Sequence, residues 1–424
     1  MTEFPEGFLW GVATAGHQTE GGNTAGDTWF LENVHPTLFR EPSGPACRSY
    51  DRYEEDLDLA AGMGLNAYRF SVEWARVEPA RGEVSTTALD HYERVVDAAL
   101  ARGLAPVVTF NHFTSPHWFS AAGSWLAPDA ADRFADQVDR VVARFGDRIH
   151  TAVTLNEPNL EQLLQAGGKL PPAAEQLKVD MLAAAARAAG TERYFSSNVI
   201  PAAFQDEFRE AFTIAHRAGR AAAKARRADL PVGISLAVAH EVARPGGEAR
   251  RDARRAAVYD HWLRVAREDD FVGVQNYETL FHGPDGEVVP DGARNGMGSV
   301  IDPGSLAGAV RYAHEVSGVP VLVTEHGLQT DDDAQRAAFL PATLDRLATE
   351  IDAGTPVLGY CHWTLLDNFE WIFGYGPKLG LVAVDRETFT RTPKPSATVY
   401  ADCVRRARGG RRTAGERRDL PVPA

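Results

Sequence analysis

Two glutamates sit where a carboxylate could act on a bound substrate. Glu157 closes the apolar run of Thr154-Leu-Asn-Glu-Pro158, and Glu325 closes that of Thr324-Glu-His-Gly327, 168 residues further along. Glycosidic bond cleavage needs such a pair: one carboxyl donates a proton to the leaving oxygen, and the other attacks, or activates water, at the anomeric carbon. A single strand-end glutamate is often only a salt-bridging or capping group, so the residues around the pair matter. Gln18 and Glu20 follow the first apolar run, Arg69 and Glu73 the second, and Asn111-His112 the third, while Asn156 directly precedes Glu157. Gln275, Asn276 and Tyr277 end the sixth run, and Trp363 ends the eighth, with Asp367, Asn368, Glu370 and Trp371 beyond it. Amides, carboxylates and an imidazole can bond a polyhydroxylated ligand, and aromatic rings offer flat faces to its C–H surface. The set reads as a sugar site.

Those residues must be carried by something. Eight short runs rich in Val, Ile, Leu and aromatics span Phe8 to Ala13, Asn66 to Ser71, Ala105 to Phe110, His150 to Leu155, Val232 to Ala237, Phe271 to Gln275, Val319 to Thr324 and Val357 to Trp363. Between them lie segments with helical spacing: Tyr53 to Met63, Leu89 to Arg102, Ala130 to Phe145, Glu207 to Arg227, Ala253 to Glu268, Leu306 to Ser317 and Ala334 to Ala353. Continuous apolar strands alternating with helices imply a parallel sheet covered on both faces. Eight units favour an α/β fold of the (β/α)₈ TIM-barrel type, a single domain over residues 1–404, with its chemistry on the loops at the carboxyl ends of the strands. Strands four and seven then bring Glu157 and Glu325 together across the mouth. Leu160 to Phe204 is the least regular stretch, with a small helix or covering loop at Ala183 to Ala189, and is expected to form part of the rim. Residues 405–424 contain seven arginines among Gly and Pro and read as a disordered basic tail.

Composition narrows the function further. The 424 residues are 44% hydrophobic and 24% charged, as in a globular protein. A net charge of −14 repels phosphate backbones and anionic lipid, so neither nucleic acid nor a membrane is an expected partner. Cys47, Cys361 and Cys403 are odd in number and widely spaced, which suits reduced core thiols and a cytoplasmic location. The N-terminus lacks a basic region followed by an apolar stretch, and no window is apolar enough to span a bilayer. The strand ends offer one His and scattered carboxylates rather than a three-ligand set, so no metal is expected, and no cofactor.

The long motifs resemble glycoside hydrolase family 1, the β-glucosidase and β-galactosidase family of retaining barrel enzymes. The resemblance covers nearly the whole chain, through Phe8-Leu-Trp-Gly-Val-Ala-Thr-Ala15, Tyr68-Arg-Phe-Ser-Val-Glu-Trp74, Asn156-Glu-Pro158, Thr324-Glu-His-Gly327 and Gly359-Tyr-Cys-His-Trp-Thr-Leu-Leu-Asp-Asn-Phe-Glu-Trp371. It implies Glu157 as acid/base and Glu325 as nucleophile, with carboxyls about 5 Å apart. Arg69 and Tyr277 would hold Glu325 ionised by lowering its pKa, while Glu157, without a matched cation, stays protonated. Asn156 would support catalysis at the 2-hydroxyl, and Gln18, His112, Glu370, Trp363 and Trp371 would bind the glycone. The carboxylate of Glu370 would repel a phosphosugar. The sequence departs from the pattern in four places: Phe113 stands for Trp, Gln275-Asn276-Tyr277 for Asn-Tyr-Tyr, His326 for Asn and Leu379 for Phe. Losing an indole N–H at 113 makes a deoxygenated glycone plausible. The expected partner is a small β-glycoside, the expected activity exo-hydrolysis. Glycosyl transfer to an acceptor, and sugar binding without catalysis, are the alternatives.

Overall fold

In the computed structural model, which describes residues 4–168 and 172–409, every one of the eight apolar runs is a strand whose bounds lie within two residues of those expected. They are β1 (Leu9–Ala13), β2 (Ala67–Ser71), β3 (Ala105–Asn111), β4 (Thr151–Asn156), β5 (Val232–Ala237), β6 (Phe271–Asn276), β7 (Val321–His326) and β8 (Val357–Trp363). Each pairs in parallel with its sequence neighbours, and β8 closes on β1. The result is a (β/α)₈ barrel. Strands β4 and β7 are separated on one side by β5 and β6, so Glu157 and Glu325 approach across two intervening strands.

The alternation of side chains explains where the site lies. Leu9, Ala67, Val107, Val153, Phe271 and Leu322 come from six different strands yet form one buried cluster, which is possible only inside the barrel. Counting in twos from that layer, Ala67 leads to Arg69 and Val107 to Thr109 and Asn111, so polar residues line the upper bore. Gly11 and Gly273 keep the bore open at this height: a Cβ on Gly273 would lie 2.3 Å from Ser235 Oγ, and one on Gly11 3.0 Å from Cys361 Sγ. Bulges then break the alternation. On β4 the pairing with β5 passes from Val153↔Gly233 to Asn156↔Ser235, and on β7 the pairing with β6 passes from Val323↔Val274 to Glu325↔Gln275. One extra residue re-aims the side chains beyond it, so the bulges set the direction of the strand ends that carry Asn156, Glu157 and Glu325.

Elsewhere the structure amends the expected elements. The helix expected over Ala253 to Glu268 is two, Glu248–Val258 and Asp260–Val265, followed by a 3₁₀ turn at Ala266–Glu268. The irregular stretch after β4 contains Leu160–Ala166 and an 18-residue helix, Pro172–Ala189, much longer than the small helix expected at Ala183 to Ala189. Beyond the barrel, His240–Ala243, Thr279–His282 and Glu287–Val288 make a small sheet, and Val382–Val384 pairs with Arg391–Pro393. A final helix, Pro395–Ala407, takes in Arg405 and Arg406, and its Tyr400 hydroxyl donates to Gly11 O at 2.8 Å. The rest of the expected tail, from residue 410, lies outside the described residues. All three cysteines are buried and unpaired.

Candidate active site

Arg69 organises the mouth. Fully buried, its guanidinium reaches from β2 across the bore: Nε donates to Thr109 Oγ1 at 3.2 Å, Nη1 to Glu325 Oε1 at 2.6 Å and to Thr324 O at 3.2 Å, and Nη2 to Asn156 Oδ1 at 2.6 Å. One side chain therefore ties β2, β3, β4 and β7 into a single geometry. Tyr277, just past β6, donates to Glu325 Oε2 at 2.7 Å, so both oxygens of this carboxylate are held by donors. Gln275 donates to Asn156 Oδ1 at 2.7 Å, which fixes the orientation of that amide.

The two glutamates sit in different electrostatic surroundings. Glu157 retains a little exposure at the mouth but lies deep enough that desolvation, reinforced by the negative charge of Glu325, holds its carboxyl well above the usual range. Arg69 opposes that shift without a direct hydrogen bond. For Glu325 the expectation of a lowered pKa is corrected. Burial outweighs the charge of Arg69 and the hydrogen bonds from Tyr277 and Arg69, and the net shift is upward. The ordering survives, because those three favourable contacts act on Glu325 while the pair repulsion acts on Glu157. Burial and the nearby Arg69 push the His112 imidazole well down, which leaves it neutral, 3.9 Å from Glu325 Oε1. Burial holds the Tyr277 phenol protonated.

The residues expected to bind a glycone converge around this core. Beside Glu370, Gln18 donates to Asn368 Oδ1 at 3.2 Å and to Phe369 O at 2.8 Å, and burial together with the charge of Glu325 pushes the Glu370 carboxyl up to about 8. The expected charge repulsion of a phosphosugar is thereby weakened near neutral pH; the remaining obstacle to phosphate is that Arg69 is committed to Glu325 and Asn156. The rings of His112 and Trp363 lie nearly parallel at 5.8 Å, those of His112 and Trp371 at 6.2 Å, and Phe113 meets Trp371 edge-on at 5.3 Å. Trp363 itself is wedged among Ala13, Ala15, Cys361, Leu379 and Tyr277. Glu157, Phe113 and Trp371 all adopt positive φ, at 45°, 65° and 50°, so three residues of one pocket hold a backbone conformation that side chains disfavour. Four buried atoms, Gln18 Oε1, His112 Nδ1, Asn156 Nδ2 and Glu370 Oε1, have no hydrogen-bond partner among the described residues. Each belongs to a residue expected to touch the glycone, and buried polar atoms are rarely left unpaired without a function.

Not every strand-end group serves the pocket. Glu20 accepts from Arg76 and Tyr92, Glu73 from Ser71 and Asn23, and Asp367 from Gly380 N and Lys394. Asn111 and Asn276 donate to loop carbonyls. These are struts. His326 bonds Tyr360 at 3.0 Å and stacks on Phe339, so this departure from the resemblance is structural. Conversely, sequence reasoning missed His17, whose buried ring stacks on Trp371 at 5.7 Å and is held by Glu32 at 2.8 Å. Its place next to Gln18 was the available signal. Gln275 was visible as a strand end, but not as the orienter of Asn156.

A family model described as glycosyl hydrolase family 1 matches residues 1–273 and 283–408. The chain belongs to this family. Among its family 1 relatives, "Thermostable beta-glucosidase B" of Thermobispora bispora is 32% identical, with 95% of this chain and 91% of that one covered. A "Bifunctional beta-D-glucosidase/beta-D-fucosidase" of Bifidobacterium breve is 30% identical over 94% of this chain and 97% of its own. Among solved structures, β-glycosidase BGL167 is 46% identical with a TM-score of 0.88, covering 99% of this chain and 100% of that one. The protein is accordingly a β-glycosidase, a β-glucosidase-like hydrolase of family 1. Among the described residues no cluster of His, Cys, Asp or Glu could hold a metal ion, and no helix is long and apolar enough to cross a membrane.

Proposed function

We propose that this family 1 member is a cytoplasmic, retaining exo-β-glycosidase, a β-glucosidase that tolerates galactosides and fucosides, with Glu325 as nucleophile and Glu157 as acid/base. The observation that carries this reading is the asymmetry of the pair. Glu325 is gripped by a guanidinium and a phenol, whereas Glu157 has no cation bonded to it among the described residues and is raised further by its neighbour's charge. In the first step a Glu325 oxygen forms a bond to the anomeric carbon while the bond to the aglycone oxygen breaks, and that oxygen takes the proton of Glu157. Loss of charge on Glu325 as the ester forms lowers the barrier to ionising Glu157. Glu157, now a carboxylate, removes a proton from water, the water oxygen attacks the same carbon, and Glu325 leaves. Two inversions retain the β configuration.

The glycone is read by the atoms left unpaired. Asn156 Nδ2 and neutral His112 supply donors near the nucleophile, and Gln18 Oε1 and Glu370 Oε1 supply acceptors, with Trp363 and Trp371 as the aromatic walls. The edge of Phe113 beside Trp371 brings carbon where a donor is expected, which suits a sugar lacking a hydroxyl. The glucosidase/fucosidase name of the Bifidobacterium relative supports the same tolerance. Hydrolysis of nitrophenyl β-glucoside, β-galactoside, β-fucoside and β-glucuronide, with Glu325→Gln as blank, tests the reading: release should vanish in the variant. Glu325→Ala in azide should then make a glycosyl azide of inverted configuration. Failure of both removes Glu325 from the role.

A further inference from the structure

Contiguous exposed apolar patches mark binding surfaces more often than single exposed side chains do, and three large hydrophobic side chains gather on one loop. Val289 is 57% exposed, Met297 54% and Val288 41%. With Leu280, Phe281 and Val300 they line a single trough. The trough is built by fixed backbone. Val288 pairs with Phe281 across two antiparallel strands, buried Asn295 accepts from Met297 N at 3.1 Å and Ser299 N at 2.9 Å, and Ser299 donates to Glu278 at 2.5 Å.

Its place in the fold ties it to the chemistry. Glu278, on its wall, follows Tyr277, whose hydroxyl holds Glu325. Gly167, which also lines it, caps the helix Leu160–Ala166 that begins three residues beyond Glu157. Gly296 N donates to Gln329 O at 2.9 Å, which anchors the same loop to the segment leaving β7 just past Glu325. The trough thus lies between the loops that follow the acid strand and the strand carrying Tyr277. Both loops border the carboxyl-end mouth of the barrel, through which a leaving group protonated by Glu157 would depart.

We propose that this trough binds the aglycone and selects an extended apolar alcohol or phenol over a second sugar. This rests on Glu157 being the acid. A sugar on this wall would want an open aromatic face, but Phe281, the trough's one aromatic ring, already lies under the Arg244 guanidinium at 4.7 Å. Aliphatic and thioether side chains instead suit a hydrocarbon body, whose affinity scales with the apolar area covered.

The test is the double variant Val289→Asn, Met297→Gln, at positions exposed enough that the fold tolerates both changes. The specificity constant for octyl β-glucoside should fall by about tenfold, the scale of losing apolar cover from two side chains, while methyl β-glucoside and cellobiose stay within about twofold. Equal changes on all three substrates, or no change on octyl β-glucoside, would overturn the proposal. Calorimetry with octyl and methyl 1-thio-β-glucosides, which are not turned over, reads the trough separately from catalysis. Weaker binding of only the octyl compound in the variant supports it even if the parent protein hydrolyses nothing, the outcome that would instead defeat the functional reading. Equal octyl affinity in both proteins would overturn it.

Discussion

Two buried carboxylates, both raised above their ordinary pKa by burial, do opposite jobs. Asp27 lies wholly inside the protein without a cation, and its oxygens are fully used. Oδ1 accepts from Thr28 N at 2.7 Å and Ser115 N at 3.0 Å, and Oδ2 from Ser120 Oγ and Ser196 Oγ, each at 2.9 Å. It sutures the loop after β1 to the loop after β3 and to the cover contributed by residues 191–204. Glu370, whose carboxyl is equally buried, keeps Oε1 unpaired among the described residues. Asp27 has every partner in place and ties loops together, whereas Glu370 keeps an atom to spare that a ligand could use. The same contrast separates Glu20, Glu73 and Asp367 from Gln18, His112 and Asn156.

Removing the proposed nucleophile should break the contrast hardest. Glu325→Gln is expected to cost roughly 10⁴-fold or more in kcat, which a steady-state assay checks. Glu157→Ala should cost about 10²- to 10⁴-fold on poor leaving groups and far less on a dinitrophenyl glycoside. With these proposed roles, the parent enzyme should lose activity as pH rises through the raised pKa of Glu157, because the acid is deprotonated, and as pH falls, because Glu325 is protonated. On the dinitrophenyl substrate Glu157→Ala should therefore lose the alkaline limb and keep the acid one. Asp27→Asn replaces acceptor oxygen by a donor in a ring of donors, and should cost about 1–3 kcal/mol of stability in denaturant unfolding, with kcat per folded molecule changed little. Glu370→Ser should raise KM for β-glucosides by roughly tenfold without moving the melting midpoint; an unaltered KM would place the glycone elsewhere.

How much of the molecule is legible in the chain depends on how far each signal travels along it. Parallel strands buried on both faces are continuous apolar runs, so all eight could be located from composition and spacing, and the polar residues at their ends with them. The bulges on β4 and β7 leave no such trace, because a one-residue shift in pairing is settled by neighbouring strands. The helix Pro172–Ala189 is preceded by Gly167-Gly168 and Pro171, and its Ala-rich sequence carries little amphipathic pattern, so it reads as loop. Asp27 takes partners from positions 115, 120 and 196, and His17 takes Trp371, pairings of long sequence separation that no local pattern encodes. The direction of the Glu325 shift depended on burial outweighing Arg69, a balance that residue types alone do not state.

The most direct test of the double-displacement assignment is to trap the intermediate. A 2-deoxy-2-fluoro-β-glucosyl fluoride, whose good leaving group speeds the first step relative to the second, should inactivate the enzyme with the mass gain of one fluorosugar, and peptide mapping should place it on Glu325. Time-dependent labelling at any other residue, or turnover of an ordinary β-glucoside to the inverted sugar without a covalent adduct, would contradict the roles given to Glu325 and Glu157.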